Sequence, residues 1–141
     1  MTYSFGDLSV VFNHPSVGQF TFQGAGLGQI TFSRTNNLGQ KDVAADGTAM
    51  TSKITSKVGT ITIQVQQPSE ANKFMRKYVN YVETASASEF ATASLVASSP
   101  AMGVTHTATG VNPEKMPDWD YQQAGQMVSY VLQADALEGE V

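Results

Sequence analysis

Hydrophobic and small polar residues alternate with period two along much of the chain, and this alternation predicts β-strands. The clearest run is 59–66, in which Ile61, Ile63 and Val65 point to one side while threonine and glutamine point to the other. The same pattern predicts strands at 8–12, 20–22, 30–32, 89–97, 103–109 and 126–134. Outward positions carry Thr, Ser and Gln in place of charge, which suits a sheet face turned to a partner or an enclosed space.

One segment has helical periodicity instead, with its apolar residues on one stripe over about three turns. The stripe consists of Ala71, Phe74, Met75, Tyr78, Val79 and Val82. Ser69 is a candidate N-cap after Pro68, and Glu70 lies at the positive end of the helix dipole. The sequence therefore predicts one α-helix over about 69–84 that covers one face of a sheet, in an α+β fold that is mainly β.

Two segments follow neither period. The first, 34–57, contains Asn-Asn at 36–37 and Asp-Gly at 46–47, which are turn signals, so we expect a long hairpin loop there. Loops of this length are usually functional or disordered. The second segment, 110–125, contains two prolines and two aspartates and is assigned no element.

Composition favours a protein that assembles with other chains. The 141 residues suffice for one hydrophobic core, and no repeat or linker interrupts them, so we expect a single domain over 1–141. Charged residues make up only 14% of the sequence, against about 25% in typical domains. Because charge is costly to desolvate in an interface, a surface with little charge is suited to contact with protein, which favours self-assembly.

Charge and cysteine content exclude other classes. The net charge is −4, with the acids concentrated from Val111 onward, which is the wrong sign for a nucleic-acid binder. The absence of cysteine excludes disulfides, thiolate metal sites and a cysteine nucleophile. No run approaches the ~20 apolar residues of a membrane span, and the start lacks a signal-peptide pattern. We therefore expect a soluble protein made in a cytoplasm, with no membrane partner.

No arrangement of residues indicates a catalytic, cofactor or metal site, so we expect no enzyme activity. The glycine-rich run at 24–28 leads into a predicted strand, whereas a nucleotide-binding loop opens a helix, so we interpret it as a flexible turn. His14 and His106 have no second ligand at a metal-site spacing and no nucleophile elbow near them. Asp118 and Asp120 fit either a cation-binding or acid/base pair or a solvated turn.

Several motifs are informative when taken in order. They are Thr2-Tyr3-Ser4-Phe5-Gly6-Asp7, the 44–52 stretch with Asp46-Gly47 and Met50, Gly59-Thr60-Ile61-Thr62-Ile63, Pro68-Ser69-Glu70-Ala71-Asn72 and Pro117-Asp118-Trp119-Asp120-Tyr121. Their order and spacing resemble the tail tube proteins of contractile-tailed bacteriophages, most of all the small "phage structural protein" group. The similarity spans nearly the whole chain.

The resemblance implies a tail-tube β-sandwich or half-barrel with one flanking helix. Six such subunits close into a ring in which neighbouring sheets join edge to edge, and the rings stack into a hollow tube. The 34–57 loop is then expected to reach neighbouring subunits in the ring and in the next ring. The inter-subunit contact residues expected in this loop are Asn36, Asn37, Leu38, Lys41, Asp42 and Met50.

The same resemblance implies the partners and the location. The tube is expected to house the tape-measure protein, to pass DNA without specific binding, and to contact a tail sheath protein, baseplate proteins and a tail terminator. It is a part of the virion that is assembled in the cytoplasm of the bacterial host. A neutral or acidic lining suits DNA passage, because Lys and Arg would capture DNA by counterion release. The acidic segment after Val111 fits either the lumen or the sheath-facing surface.

Two other interpretations stay open. Phage-like bacteriocins and secretion-system tubes share the fold, so the chain is also compatible with the tube subunit of a bacteriocin. A monomeric carbohydrate-binding β-sandwich is the second alternative, with Trp119 and Tyr121 as an exposed aromatic platform. The resemblance assigns Trp119 no role, and packing in the core is our expectation for it.

Overall fold

The computed structural model describes residues 2–23 and 26–140 and is mainly β. Its strands are β1 Ser9–His14, β2 Gly18–Phe22, β3 Leu27–Arg34, β4 Gly39–Val43, β5 Ala49–Lys53, β6 Gly59–Gln66, β7 Ala93–Ser99, β8 Val104–Pro113, β9 Met127–Ala134 and β10 Ala136–Glu140. A 3₁₀ turn at Phe5–Asp7 precedes β1. The helices are α1 Glu70–Thr84 and the four-residue α2 Ala87–Phe90. The predicted fold class, α+β and mainly β, is confirmed.

Antiparallel pairing joins eight strands into one open sheet with the order β2-β1-β7-β8-β9-β6-β3, in which β10 also pairs with β8. The hairpin of β4 and β5 stands apart from this sheet, between β3 and β6 in the chain. β8 connects the two halves of the sheet, because its first part pairs with β7 and β10 while Asn112 and Pro113 pair with β9. The sheet therefore turns at β8, in the manner of a half-barrel.

Gly110 makes the turn in β8 possible. The register with β7 skips this residue, which leaves it as the extra residue of a bulge. Its φ is 63°, a conformation that residues with a Cβ rarely adopt. A Cβ at this position would also clash with the side chain of Asp135. Both the backbone conformation and the close approach of Asp135 therefore require glycine here.

Helix α1 begins and ends close to the predicted limits. The hydroxyl of Ser69 accepts a hydrogen bond from the amide of Asn72 at 3.2 Å, so Ser69 is the N-cap as predicted. Five of the six residues of the predicted stripe are buried and Phe74 is half-buried. The Tyr78 ring packs edge-on against Phe12 of β1, with 4.7 Å between ring centroids. No helix in the part of the chain that the structure describes has the length and apolar character needed to cross a bilayer.

The core lies between α1 and the inner face of the sheet, and the predicted strand faces are confirmed. Ile61, Ile63 and Val65 of β6 are fully buried, as are Val10 and Phe12 of β1. Burying each such side chain stabilises the fold by about 1.5–3 kcal/mol. The alternation in the sequence therefore identified the correct side of these strands.

The strand predicted at 89–97 starts too early, because β7 begins at Ala93 and the preceding residues form α2. Glu89 holds this turn in place. Its carbonyl accepts a hydrogen bond from Nε2 of His14 at 3.0 Å, and its carboxylate accepts one from the Tyr81 hydroxyl at 2.9 Å. These contacts come from β1 and α1, so the local alternation gave no sign of them.

The strand predicted at 103–109 continues to Pro113, and β10 was not predicted at all. Both errors arise from the turn in the sheet. The alternation is interrupted at Gly110, where the bulge reverses which side chains face the core, and it resumes with Val111 buried. β10 follows β9 after one residue, Asp135, and the strand predicted at 126–134 ended before it.

Replacing Tyr130 with Phe is expected to lower the free energy of unfolding by about 1–3 kcal/mol, because the buried amide oxygen of Asn72 loses its hydrogen-bond donor. The Tyr130 hydroxyl donates to Oδ1 of Asn72 at 2.6 Å, and both residues are buried. Burial also raises the pKa of Tyr130 to about 12. Urea denaturation measures the change. Tyr121→Phe is the matched control, since Tyr121 is 77% exposed and its variant should unfold like the wild type; equal loss in both variants would contradict the prediction.

Candidate functional site

One face of the sheet carries no charge. It is formed by β3, β6 and β9, which pair side by side so that their outward residues stand in three rows. The rows are Gln29, Gln64 and Ser129; Thr31, Thr62 and Val131; Ser33, Thr60 and Gln133. We call these nine residues the uncharged face. Eight of them are polar and none ionises, although all are exposed or half-buried.

The core fixes the shape of the uncharged face. The neighbours of Thr60 and Thr62 along β6 are Ile61 and Ile63, which are fully buried under α1. The same alternation in β9 buries Tyr130 and Leu132 beneath Ser129 and Val131. The polar residues are thus attached to a rigid base, which suits a surface that must keep one shape.

Ionisable residues stand at one margin of this face. A groove beside β9 is lined by Lys115, Asp118 and Asp120 together with Ser129 and Val131. The segment that carries the two aspartates is irregular and exposed, which agrees with a solvated turn. Among residues 2–23 and 26–140, no group of three or more acids or histidines is placed to hold a metal ion.

Trp119 is not packed in the core, so that expectation is wrong. It is 38% exposed, and Tyr121 is 77% exposed. The segment between Pro113 and Gln126 forms neither strand nor helix, and its contact with the core is made by Met116 and Pro117 rather than by Trp119. The two aromatic residues lie on the surface without the support of a regular element.

The outer edge of β3 is unpaired in the described residues. β3 is the last strand of the sheet, and only β6 pairs with it. A free edge presents backbone N–H and C=O groups that can bind another strand. The uncharged face therefore ends at a strand that can be extended by a second chain.

The 34–57 loop is an exposed β-hairpin, which we call the arm. β4 and β5 pair from Gly39 opposite Lys53 to Val43 opposite Ala49, and no residue from 35 to 58 is buried. A two-stranded hairpin is marginally stable alone in water, so the arm is suited to docking on another surface.

The predicted turn at 46–47 is the tip of the arm. Oδ1 of Asp46 accepts a hydrogen bond from the amide of Thr48 at 2.9 Å, and this bond lowers the pKa of Asp46. Gly47 has φ 90°, as the turn requires. The predicted turn at 36–37 is a bend at the base of the arm, where Nδ2 of Asn36 donates to Oγ of Ser56 at 2.9 Å.

All six predicted contact residues are exposed and belong to the arm or its base. They are Asn36, Asn37, Leu38, Lys41, Asp42 and Met50. The register places Asp42 and Met50 on one side of the hairpin, and Met50 is 60% exposed; Leu38 precedes β4 and is 70% exposed. Lys41 lies on the other side, where its Nζ donates to Oγ1 of Thr51 at 3.0 Å. The six residues therefore form two surfaces rather than one.

Sequence reasoning missed two residues of the arm, Val43 and Lys53. Val43 is 72% exposed and lies on the same side as Lys41, as does Lys53. The sequence held no usable signal for them, because counting outward from a two-residue Asp-Gly turn pairs Val43 with Met50, whereas Val43 lies opposite Ala49.

Both histidine side chains make contacts within the fold. Nδ1 of His14 accepts the amides of Ser16 and Val17 at 3.1 and 3.3 Å, so Nε2 carries the proton that it donates to the carbonyl of Glu89. His106 stacks on Phe32 with 4.8 Å between ring centroids. In the glycine-rich run, Gly24 and Ala25 lie outside the described residues, while Leu27 and Gly28 belong to strand β3.

Solved structures with the same fold include proteins of an anti-feeding prophage and of an extracellular contractile injection system. The chain aligns with a protein in the cap of the anti-feeding prophage at 13% identity, covering 100% of this chain and 93% of that one, with a TM-score of 0.58. It aligns with the sheath/tube terminator structure of the extracellular contractile injection system PVC at 12% identity, 100% and 98% coverage and a TM-score of 0.61. It aligns with the PVC sheath-tube complex structure at 11% identity, covering 99% of this chain and 92% of that one, with a TM-score of 0.57. At identities this low, the TM-scores show a shared fold alone.

A search of curated proteins finds no match to the chain. The family model for the bacteriophage PhiTE tail tube protein matches residues 1–140. This match confirms the resemblance seen in the ordered motifs and supports a structural component of the virion. The chain therefore belongs to the family of the bacteriophage PhiTE tail tube protein.

Proposed function

We propose that this tail tube protein builds a contractile tail, with six copies in each ring and the rings stacked into a hollow conduit. One observation carries the proposal: the uncharged face ends at the unpaired edge of β3. Repetition of the subunit around an axis extends such a face into a continuous lining. Ring closure uses a head-to-tail contact, and stacking along the axis is open-ended.

A head-to-tail contact needs two different free edges on the same half of the sheet. β3 supplies one along 27–34. β9 supplies the other, because within the described residues its second side is paired only near Val131 to Gln133, which leaves 127–130 free. Pairing β3 of one copy with 127–130 of the next satisfies both edges, which would be an aggregation hazard in a monomer.

The uncharged face is the proposed lining of the lumen. Each Lys or Arg that contacts a DNA phosphate releases counterions and strengthens binding, so a lining without Lys or Arg lets DNA slide. At its margin Asp118 and Asp120 outnumber Lys115, so the groove there has a net negative charge, which repels DNA. In this arrangement Asp118 and Asp120, which belong to the acidic segment after Val111, face the lumen rather than the sheath.

The proposed partners follow from the tube. The structural neighbours include a sheath-tube complex, a sheath/tube terminator and a baseplate, which supports a sheath protein, a terminator and baseplate proteins as partners here. The tape-measure protein and then DNA occupy the lumen without specific binding. Assembly takes place in the cytoplasm of the bacterial host, and the arm, through Asn36, Asn37, Leu38, Lys41, Asp42 and Met50, contacts other subunits.

Electron microscopy of the purified protein tests the proposal. We expect six-fold rings or hollow rods, with or without purified baseplates as seeds. The uncharged face should line the inner wall in a reconstruction. A protein that stays monomeric at high concentration in the presence of baseplates would show that the proposed assembly is wrong, and an inner wall rich in Lys would contradict the lining.

A bacteriocin-like particle is the second candidate, and the likeness to an extracellular contractile injection system favours it. The subunit would assemble in the same way in both particles. Particles isolated with this protein decide between them, since a DNA-filled head is expected only for a phage.

A further inference from the structure

A small groove lies between the C-terminal part of α1, α2 and the segment after β8. Its volume is about 140 Å³, and it is mostly apolar with carboxylates beside it. The lining includes Val82, Glu83, Phe90, Pro113, Glu114 and Met116. A buried cavity of about 150 Å³ can hold benzene, so this groove has room for one aliphatic side chain. Lys115 also borders it, which leaves a net charge of one negative unit from two acids and one base.

One side of the arm has the complementary character. Val43 is 72% exposed and stands near the tip, and Lys41 and Lys53 follow it on the same side. Neither lysine forms an ion pair with any residue that the structure describes. We call this side of the hairpin, with Thr51 and Ala49, the basic side of the arm.

On the basis of the proposed tube, we infer that the groove binds the basic side of the arm of a second copy. Val43 enters the groove, and Lys41 and Lys53 face Glu83 and Glu114. This contact buries an apolar side chain that water otherwise surrounds, and it brings opposite charges together at the rim. The opposite side of the arm fits less well, because it would place Asp42 against the two glutamates.

The positions of the groove and the arm indicate which copies meet. The arm leaves the sheet at Arg34 and returns at Gly59. Pro113, which lines the groove, pairs with Leu132 of β9, and Leu132 stands opposite Ile61, two residues from the return of the arm. Groove and arm base therefore lie at the same end of the subunit. In stacked rings, one end of a subunit meets the opposite end of a subunit in the next ring. We therefore assign the contact between arm and groove to neighbouring subunits of the same ring.

Zero-length cross-linking of wild-type tubes tests the inference without any substitution. A carbodiimide joins a lysine to a carboxylate only when the two are in direct contact. Tubes grown from a mixture of ¹⁴N- and ¹⁵N-labelled subunits distinguish links between copies from links within one copy. We expect mixed-isotope peptides that join Lys41 or Lys53 to Glu83 or Glu114. Links from these lysines only to other acids, or no link from them, would overturn the inference.

Engineered cysteines give an independent readout, since the natural chain has none. Tubes of the Val43→Cys/Met116→Cys variant should form covalent chains of subunits on mild oxidation, at about tenfold or higher yield than tubes of the Met50→Cys/Met116→Cys control, because a disulfide requires closely approaching Cβ atoms. Equal yields would contradict the docking of this side. If wild-type tubes form but the cross-links join other residues, the docking of the arm in the groove is wrong and the proposed function stands. If the wild-type protein never forms tubes, the proposed function itself is wrong.

Discussion

Replacing residues 36–57 with Asn-Gly is expected to leave a folded subunit that no longer forms tubes. The amide of Thr35 donates to the carbonyl of Val58 at 3.0 Å, so the two ends of the arm are already side by side. Asn-Gly supplies a two-residue hairpin turn between them. The replaced segment contains no buried residue, and the ion pair of Lys57 with Glu138 that it removes is exposed and contributes little to stability. The core is therefore unchanged, while every proposed arm contact is lost.

Two measurements check this prediction. Thermal unfolding should place the variant within a few degrees of the wild-type protein, since surface changes usually alter stability by about 0.5 kcal/mol or less. Electron microscopy should show that tube yield falls to background. Met102→Ser changes another exposed apolar residue, 43% exposed in the turn between β7 and β8, and should form normal tubes. Tubes of normal length from the arm-less variant would exclude the arm from assembly.

The arm illustrates how far the sequence can be interpreted. The Asp-Gly turn at 46–47 is a local signal, and it correctly indicated a hairpin. The strands β4 and β5 carry no alternation, because neither side of the hairpin is buried in the subunit. Hydrophobic periodicity records burial, so it cannot reveal strands that are exposed on both sides in the subunit.

The uncharged face shows a different limit. Alternation indicated that Thr31 and Thr62 point outward, but these residues and Ser129 come from three distant segments. Only the register of β3 with β6 and of β6 with β9 shows that they form one surface. Long-range pairing of this kind depends on packing of the whole core, which local sequence does not encode. Trp119 was misplaced for a related reason, because hydrophobic character alone does not show whether a segment has a face to bury.

A positive charge on the uncharged face is expected to arrest DNA in the tube. Thr62 lies in the central row, between Thr31 and Val131, and is half-buried. Thr62→Lys places one lysine per subunit there, and therefore six in each proposed ring. A protein surface that makes about six phosphate contacts binds DNA about 10³-fold more weakly at 200 mM salt than at 50 mM. Many stacked rings add to this attraction, so DNA that slides past Thr62 should be held by Lys.

Phage particles that carry the Thr62→Lys subunit test this expectation. Their tails should have normal length, because the substitution touches neither the arm nor the free edges of β3 and β9. Triggered DNA release, followed with a dye that fluoresces on DNA, should be strongly slowed at 50 mM salt and should recover toward the wild-type rate at 200 mM. Thr62→Gln adds a polar side chain without charge, and Thr62→Glu adds the opposite charge, so both should release DNA at the wild-type rate. If all three variants release DNA alike at both salt concentrations, the face formed by β3, β6 and β9 does not line the lumen.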